Sequence, residues 1–291
     1  MALPFIPSDA GMLALQAVVV AAPRPAPDIP LFKRLRGPAW ALVPVASIVL
    51  VVFLIRYASD TATGLTYLAL VAVPPLAVAA LAWAIRSRFA VSRERTGVAI
   101  AITAALFAIA WIWHQSLAGG AAAALLSALS CVTLGVLLAA VAPPGWLKLG
   151  IIAMAAADTW LVVSDLLQSP NAALVAAHPA GNLPQLQSEI FGSVSMGYGD
   201  LFVAAVLGAI LASNRRKQLE AALLTLVISA VFDLLFLTVS ELPATVPVAL
   251  ALIVLEVRDR IRLRASLAPL PVSDERSARS AAATAQHPAG P

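Results

Sequence analysis

Eight apolar runs, each nearly free of charge, leave this chain little choice of fold. They cover residues 38–55, 62–86, 97–118, 120–142, 147–167, 188–213, 218–239 and 243–257. Most reach the ~20 residues that a helix needs to cross a bilayer. Only 12% of the chain is charged and its mean hydropathy is +0.92, whereas a soluble domain carries roughly 25% charged residues. The expected fold class is therefore all-α, a polytopic transmembrane helical bundle with eight spans. A ninth is added if the shorter apolar stretch at residues 11–22 also crosses. That stretch could equally lie in the interface or be an uncleaved signal-like segment.

The connections suggest how the bundle is oriented. Arg86, Arg88, Arg93 and Arg95 flank one loop, Lys148 another and Arg215-Arg216-Lys217 a third, and Arg258, Arg260, Arg262 and Arg264 follow the last run. They alternate with poorly charged connections at 56–60, at Gly119-Gly120, at 168–187 and at Glu241. The positive-inside rule places the basic set in the cytoplasm, so the C-terminus is expected there and the 168–187 loop outside. Four regions follow: an N-terminal segment 1–37, a helical scaffold 38–146, a region 147–257 bearing the polar signals below, and a basic tail 258–291. The tail is rich in Ala, Ser, Pro and Arg and has no hydrophobic period, so it reads as disordered. A chain of this kind belongs in the inner membrane of a bacterial or archaeal cell.

Several classes of chemistry drop out. The three histidines (His114, His178, His287) are scattered and form no zinc motif, so no metal or other cofactor is implied. There is no G-x-S-x-G elbow for a serine nucleophile. The lone Cys131 cannot make an internal disulfide. The basic residues come in short clusters between apolar runs, which suits topology signals and argues against a nucleic-acid partner.

What remains is acid inside apolar sequence. Asp158 sits in Ala155-Ala156-Ala157-Asp158-Thr159-Trp160, and Asp200 in Ser195-Met196-Gly197-Tyr198-Gly199-Asp200-Leu201-Phe202. An ionised carboxylate at bilayer depth costs about 2.5–3.5 kcal/mol, and such a residue is a functional candidate that needs a partner. With a 1.5 Å rise per residue, Asp158 is expected roughly 16 Å along its helix and Asp200 roughly 18 Å along the next, antiparallel one. Both carboxyls would then lie near the midplane. Two carboxyls held close share one proton, and such a pair can activate water against a peptide carbonyl. Gly197 and Gly199 leave the backbone beside Asp200 unshielded. Ordinary small-residue packing around a buried Asp accounts for the same residues. Further on, Pro243 and Pro247 disturb the start of the last run, which suits a partly unwound segment lining a cavity. A proline in a first helical turn is the plainer account. Asp165 reads as a rim residue and Asp233 as a helix-to-helix contact.

Taken together, these features resemble the GxGD intramembrane aspartyl proteases, the presenilin and signal peptide peptidase family. Gly197-Tyr198-Gly199-Asp200 matches its signature, Leu201 to Leu207 is similar to its continuation, and Pro243-Ala244-Thr245 falls where the family has Pro-Ala-Leu. The resemblance covers residues 147–257. Ala157 stands where the family usually has Tyr, and Thr245 where it has Leu. The resemblance implies Asp158 and Asp200 as catalytic residues. It further implies Gly197, Tyr198, Gly199, Pro243, Ala244 and Thr245 as the motif and substrate-binding residues. The substrate would be a transmembrane segment or remnant signal peptide within the lipid bilayer. The loop charges match the signal peptide peptidase orientation, with substrates running N-terminus in and C-terminus out. Two other readings compete: a prepilin-peptidase-like aspartyl protease, and a proton-coupled transporter using Asp158, Asp200 and Asp233 as a relay.

Overall fold

The computed structural model describes residues 5–25, 34, 37–42, 46, 50, 61–86, 92–164, 168–192, 194–237 and 242–267. It is mostly helical, at 83%. Helix α1 spans Phe5–Ala21, and a 3-10 turn covers Pro38–Leu42. Then come α2 (Thr61–Ala84), α3 (Ser92–Ile112), α4 (Leu117–Val141) and α5 (Pro144–Val163). The short α6 (Gln168–Ala176) leads to a hairpin, β1 (Ser188–Phe191) and β2 (Val194–Gly197). Helix α7 (Tyr198–Leu211) follows, then α8 (Arg215–Phe232), a 3-10 turn Asp233–Leu237, and α9 (Thr245–Leu267). Among the described residues, those up to Ile253 form one compact unit and 254–267 a second.

Among the described residues, five helices are long and apolar enough to cross a membrane: α2, α3, α4, α5, and α8 with its terminal turn. The protein is thus an integral membrane candidate of largely α-helical build. The expected span at 38–55 lies mostly outside the described residues, as does Asp165.

Helix α4 is the centre of the first unit. Its apolar window is 56% buried, against 17–28% for the other four candidate spans. It packs along α7, α2 and α3. Its inner face carries Gly119, Ala122, Ala124, Ser127, Ala128, Ser130, Cys131 and Gly135, small side chains that let backbones approach where lipid offers no hydrophobic drive. Ser116 caps the helix by accepting from the Gly119 N–H at 3.2 Å. The turn therefore falls at Trp113–Ser116, and Gly119-Gly120 belongs to the first turn of α4 rather than to the loop.

Helix α1 is a packed part of the bundle, lying against α8 and α7. Its 17 residues give about 25 Å, short of a full ~30 Å hydrocarbon core. Its C-terminal carbonyls, which no helical N–H can reach, are met by Gln218 of α8. The buried Gln218 amide donates to Val20 O at 3.1 Å, Pro23 O at 2.8 Å and Gly208 O at 3.1 Å. Its own oxygen accepts from Arg215 at 2.8 Å.

Three expectations need correction. Residues 188–213 are not one span: the first ten form an antiparallel hairpin, with Ser188 opposite Gly197 and Phe191 opposite Val194. Gly192 turns it with φ of +64°, a conformation open to glycine at little cost. The 168–187 connection holds α6 and a 3-10 turn at Ala180–Asn182. The basic tail begins as helix, since α9 continues to Leu267; Val257 to Leu267 offers Arg, Leu, Ile and Ala, mostly good helix formers.

The close approach of α1 and α7 yields a first prediction. A Cβ at Gly208 would sit 2.2 Å from the Val20 carbonyl oxygen, whereas one at Gly64 would meet nothing within 4 Å. Gly208→Ala should cost about 1–3 kcal/mol, read as a lower unfolding midpoint in detergent. Gly64→Ala should be neutral or stabilising by up to about 1 kcal/mol.

Candidate functional site

The hairpin changes where Asp200 stands on its helix. Asp200 is the third residue of α7, not a mid-helix residue. Gly197 ends β2 and precedes the helix, and its N–H donates to Asp200 Oδ2 at 3.0 Å. This is the acidic half of a capping box, and it fixes the carboxyl over the helix N-terminus, where the dipole favours negative charge.

Tyr198 is held from the scaffold side. Its hydroxyl shares a 2.7 Å hydrogen bond with Ser130, whose Oγ also donates to Ser127 O at 2.7 Å. Cys131 Sγ donates to the Tyr198 carbonyl at 3.7 Å. The ring packs against Val73, Ala77, Leu126 and Leu186. Two successive residues of α4 thus grip the first residue of α7, and Asp200 follows two positions later. Sequence reading did not single out Ser130, although a lone hydroxyl inside an apolar run marks a buried hydrogen bond.

Asp158 lies on α5, which packs against α7. Its carboxyl is half-buried, and its Oδ2 accepts from Thr245 Oγ1 at 2.6 Å. A short bond between a hydroxyl and a carboxylate is of the stronger, charge-assisted kind. The Asp158 charge acts on Asp200 across the gap between α5 and α7. The side chain that departs from the family's Pro-Ala-Leu pattern, Thr245, is therefore the one that touches Asp158.

Thr245 opens α9, and the two prolines shape that start. Val246 N–H donates to the Pro243 carbonyl at 3.2 Å. The tighter three-residue bond follows because Pro247, four positions on, has no N–H to give. Pro243 and Thr245 are buried, and the Ala244 carbonyl accepts from Gln16 of α1 at 2.9 Å.

Two contacts organise this region, Thr245 with Asp158 and Gly197 with Asp200, and Tyr198 and Gly199 complete the first turn of α7 before Asp200. Asp233, just past the end of α8, is not in this group: the acid that acts on it is Asp9 of α1. Among the described residues no group of three or more His, Cys, Asp or Glu side chains is placed to hold a metal ion. Compared with models of known protein families, with curated proteins and with solved structures, the chain matches none.

The grip on Tyr198 can be measured. Tyr198→Phe and Ser130→Ala should each cost about 1 kcal/mol, the size of one hydrogen bond. Because both remove the same bond, the double variant should cost little more than the worse single one, in a double-mutant cycle on unfolding midpoints.

Proposed function

We propose that this protein is an intramembrane aspartyl endopeptidase that hydrolyses peptide bonds in transmembrane segments or remnant signal peptides. The observation that supports the reading is that the charge of Asp158 reaches Asp200 from a neighbouring helix. They come from separate helices, 42 positions apart in sequence (200 minus 158), and each carboxyl is oriented by its own hydrogen bond. An acid that served only to cap α7 would need no second acid beside it.

The chemistry follows from one shared proton. The ionised carboxylate takes a proton from a water molecule as its oxygen attacks the scissile carbonyl carbon. The protonated acid gives its proton to the carbonyl oxygen. The tetrahedral diol then collapses: the C–N bond breaks, the leaving nitrogen takes a proton from the pair, and a carboxyl and an amine are released. Neither metal nor nucleophilic side chain enters this scheme.

A helical peptide hides its bonds, so the substrate must be extended at the site. Strand β2 ends three residues before Asp200, and the sheet has only two strands among the described residues. An extended segment can add along such an edge through backbone hydrogen bonds. The basic residues at 215–217 and 258–264 suit a cytoplasmic C-terminus in a multi-pass inner-membrane protein. With the expected eight or nine spans, that arrangement favours substrates running N-terminus in and C-terminus out.

Purified protein should cleave a labelled transmembrane peptide in detergent, with the cut inside the apolar segment by mass spectrometry. Asp158→Asn and Asp200→Asn should each lower the rate by about 10³-fold, within the range of lost acid–base catalysis, while Asp165→Asn keeps most of it. A cut at the cytoplasmic boundary would favour the prepilin-peptidase-like reading. No cleavage by the unaltered protein, with proton-coupled flux lost in both variants, would favour the transporter.

A further inference from the structure

Gln16 belongs to none of the motifs, yet it is wired to the acid pair. It lies on α1 and is 1% exposed. Its amide oxygen accepts from Ser229 of α8 at 3.2 Å, and its amide nitrogen donates to the Ala244 carbonyl at 2.9 Å. Ala244 is followed directly by Thr245, whose hydroxyl holds Asp158 at 2.6 Å. A continuous path therefore runs from the first helix, through one backbone carbonyl, to a carboxyl of the proposed site.

The Pro243–Pro247 segment needs such an anchor. Both prolines lack an N–H, so this stretch is poorly able to fix itself by local hydrogen bonds. A hydroxyl–carboxylate bond weakens steeply when distance or angle drifts, and misplacement by ~1 Å can cost 10²-fold in rate. A buried amide from another helix pins the residue next to Thr245 where local bonding is thinnest. Burying Gln16 is itself costly unless both its ends are satisfied, and both are.

We propose that Gln16 is a positioning residue: by holding Ala244 it sets the Thr245 hydroxyl against Asp158 and so keeps that carboxyl aimed toward Asp200. In its kinetic part this rests on the proposed proteolysis; in its geometric part it does not. Helix α1 thereby becomes a working component of the site, although no α1 residue touches substrate in this scheme.

Two measurements test it. In the cleavage assay, Gln16→Met, which keeps the side chain's length, should lower kcat about tenfold and leave KM within about twofold, because the residue places an acid rather than the substrate. Thr245→Val should do the same, and the double variant should be no worse than the poorer single one. Ser229→Ala removes only the α8 end of the clasp and should stay within about twofold of the unaltered kcat. The second measurement needs no activity: in a Cys131→Ala background, Asp158→Cys and Thr245→Cys are combined, and oxidant-driven disulfide formation is timed. Adding Gln16→Met should slow it at least about fivefold, as expected when the two positions cease to be held together.

Additive losses, equal losses in Gln16→Met and Ser229→Ala, or an unchanged crosslinking rate would overturn the positioning role and leave Gln16 a helix clasp. If the unaltered protein cleaves nothing, the proteolytic reading fails, and the crosslinking rate alone decides the path from Gln16 to Asp158. Should Gln16→Met not fold, Gln16→Asn takes its place in both arms with the same expected losses, since its amide falls one methylene short of Ala244.

Discussion

A polar group that leaves water for the interior of a bilayer must find its replacement partner in the protein itself. The architecture around residues 158, 200 and 245 is organised by that demand. Asp158 takes a hydroxyl from Thr245, Asp200 takes a backbone N–H from Gly197, Gln16 spends both ends of its amide on other elements, and Gln218 donates to carbonyls outside α8 while its oxygen accepts from Arg215. Each bond ties together elements far apart in sequence or fixes a helix end. Packing alone, among side chains as small as those on α4, would leave the relative rotation of these helices loosely set.

Helix α4 supplies the complement. Its small-residue face draws α7 and α2 close, and its hydroxyls at Ser127, Ser130 and Thr133 reach across to Leu186, Tyr198 and Leu76. The hairpin and the first turn of α7 are thus registered against the most enclosed of the five candidate spans, while Asp158 lies on α5. In the proposed enzyme, one acid is mounted on this scaffold and the other on a helix whose position is read out by Thr245. This division suits a pair that must come to a fixed separation around water.

Much of the membrane character was legible in hydropathy. Helices α2, α3, α4 and α5 begin within about five residues of where the apolar runs placed them and end within about six. That Asp158 and Thr245 belong to one place was legible too, but only through motif order. The depth argument for Asp200 failed. A run of apolar residues averages over a strand and a helix alike, and Ser188–Gly197 hid two short strands and a turn at Gly192 within it. Gly119-Gly120 reads as a turn because paired glycines look like a breaker. In fact those glycines clear the Trp113 and Ile190 carbonyls, 2.1 and 2.8 Å from where a Cβ would lie. Gln16 and Ser229 carried no pattern at all. A solitary amide in an apolar helix says that it has a partner, without saying which.

The clasps made by Gln16 and Gln218 also bear on how the chain is assembled. Gln16 meets residues 213 and 228 positions later, and the Val20 and Pro23 carbonyls wait for a side chain 198 and 195 positions on. During synthesis α1 therefore leaves the ribosome long before anything exists to satisfy it. It must spend that interval at the lipid headgroups or in the keeping of the insertion machinery, and it settles only once the ribosome has delivered α8 and the start of α9. Although made before α8 and α9, α1 is in this sense finished only with them.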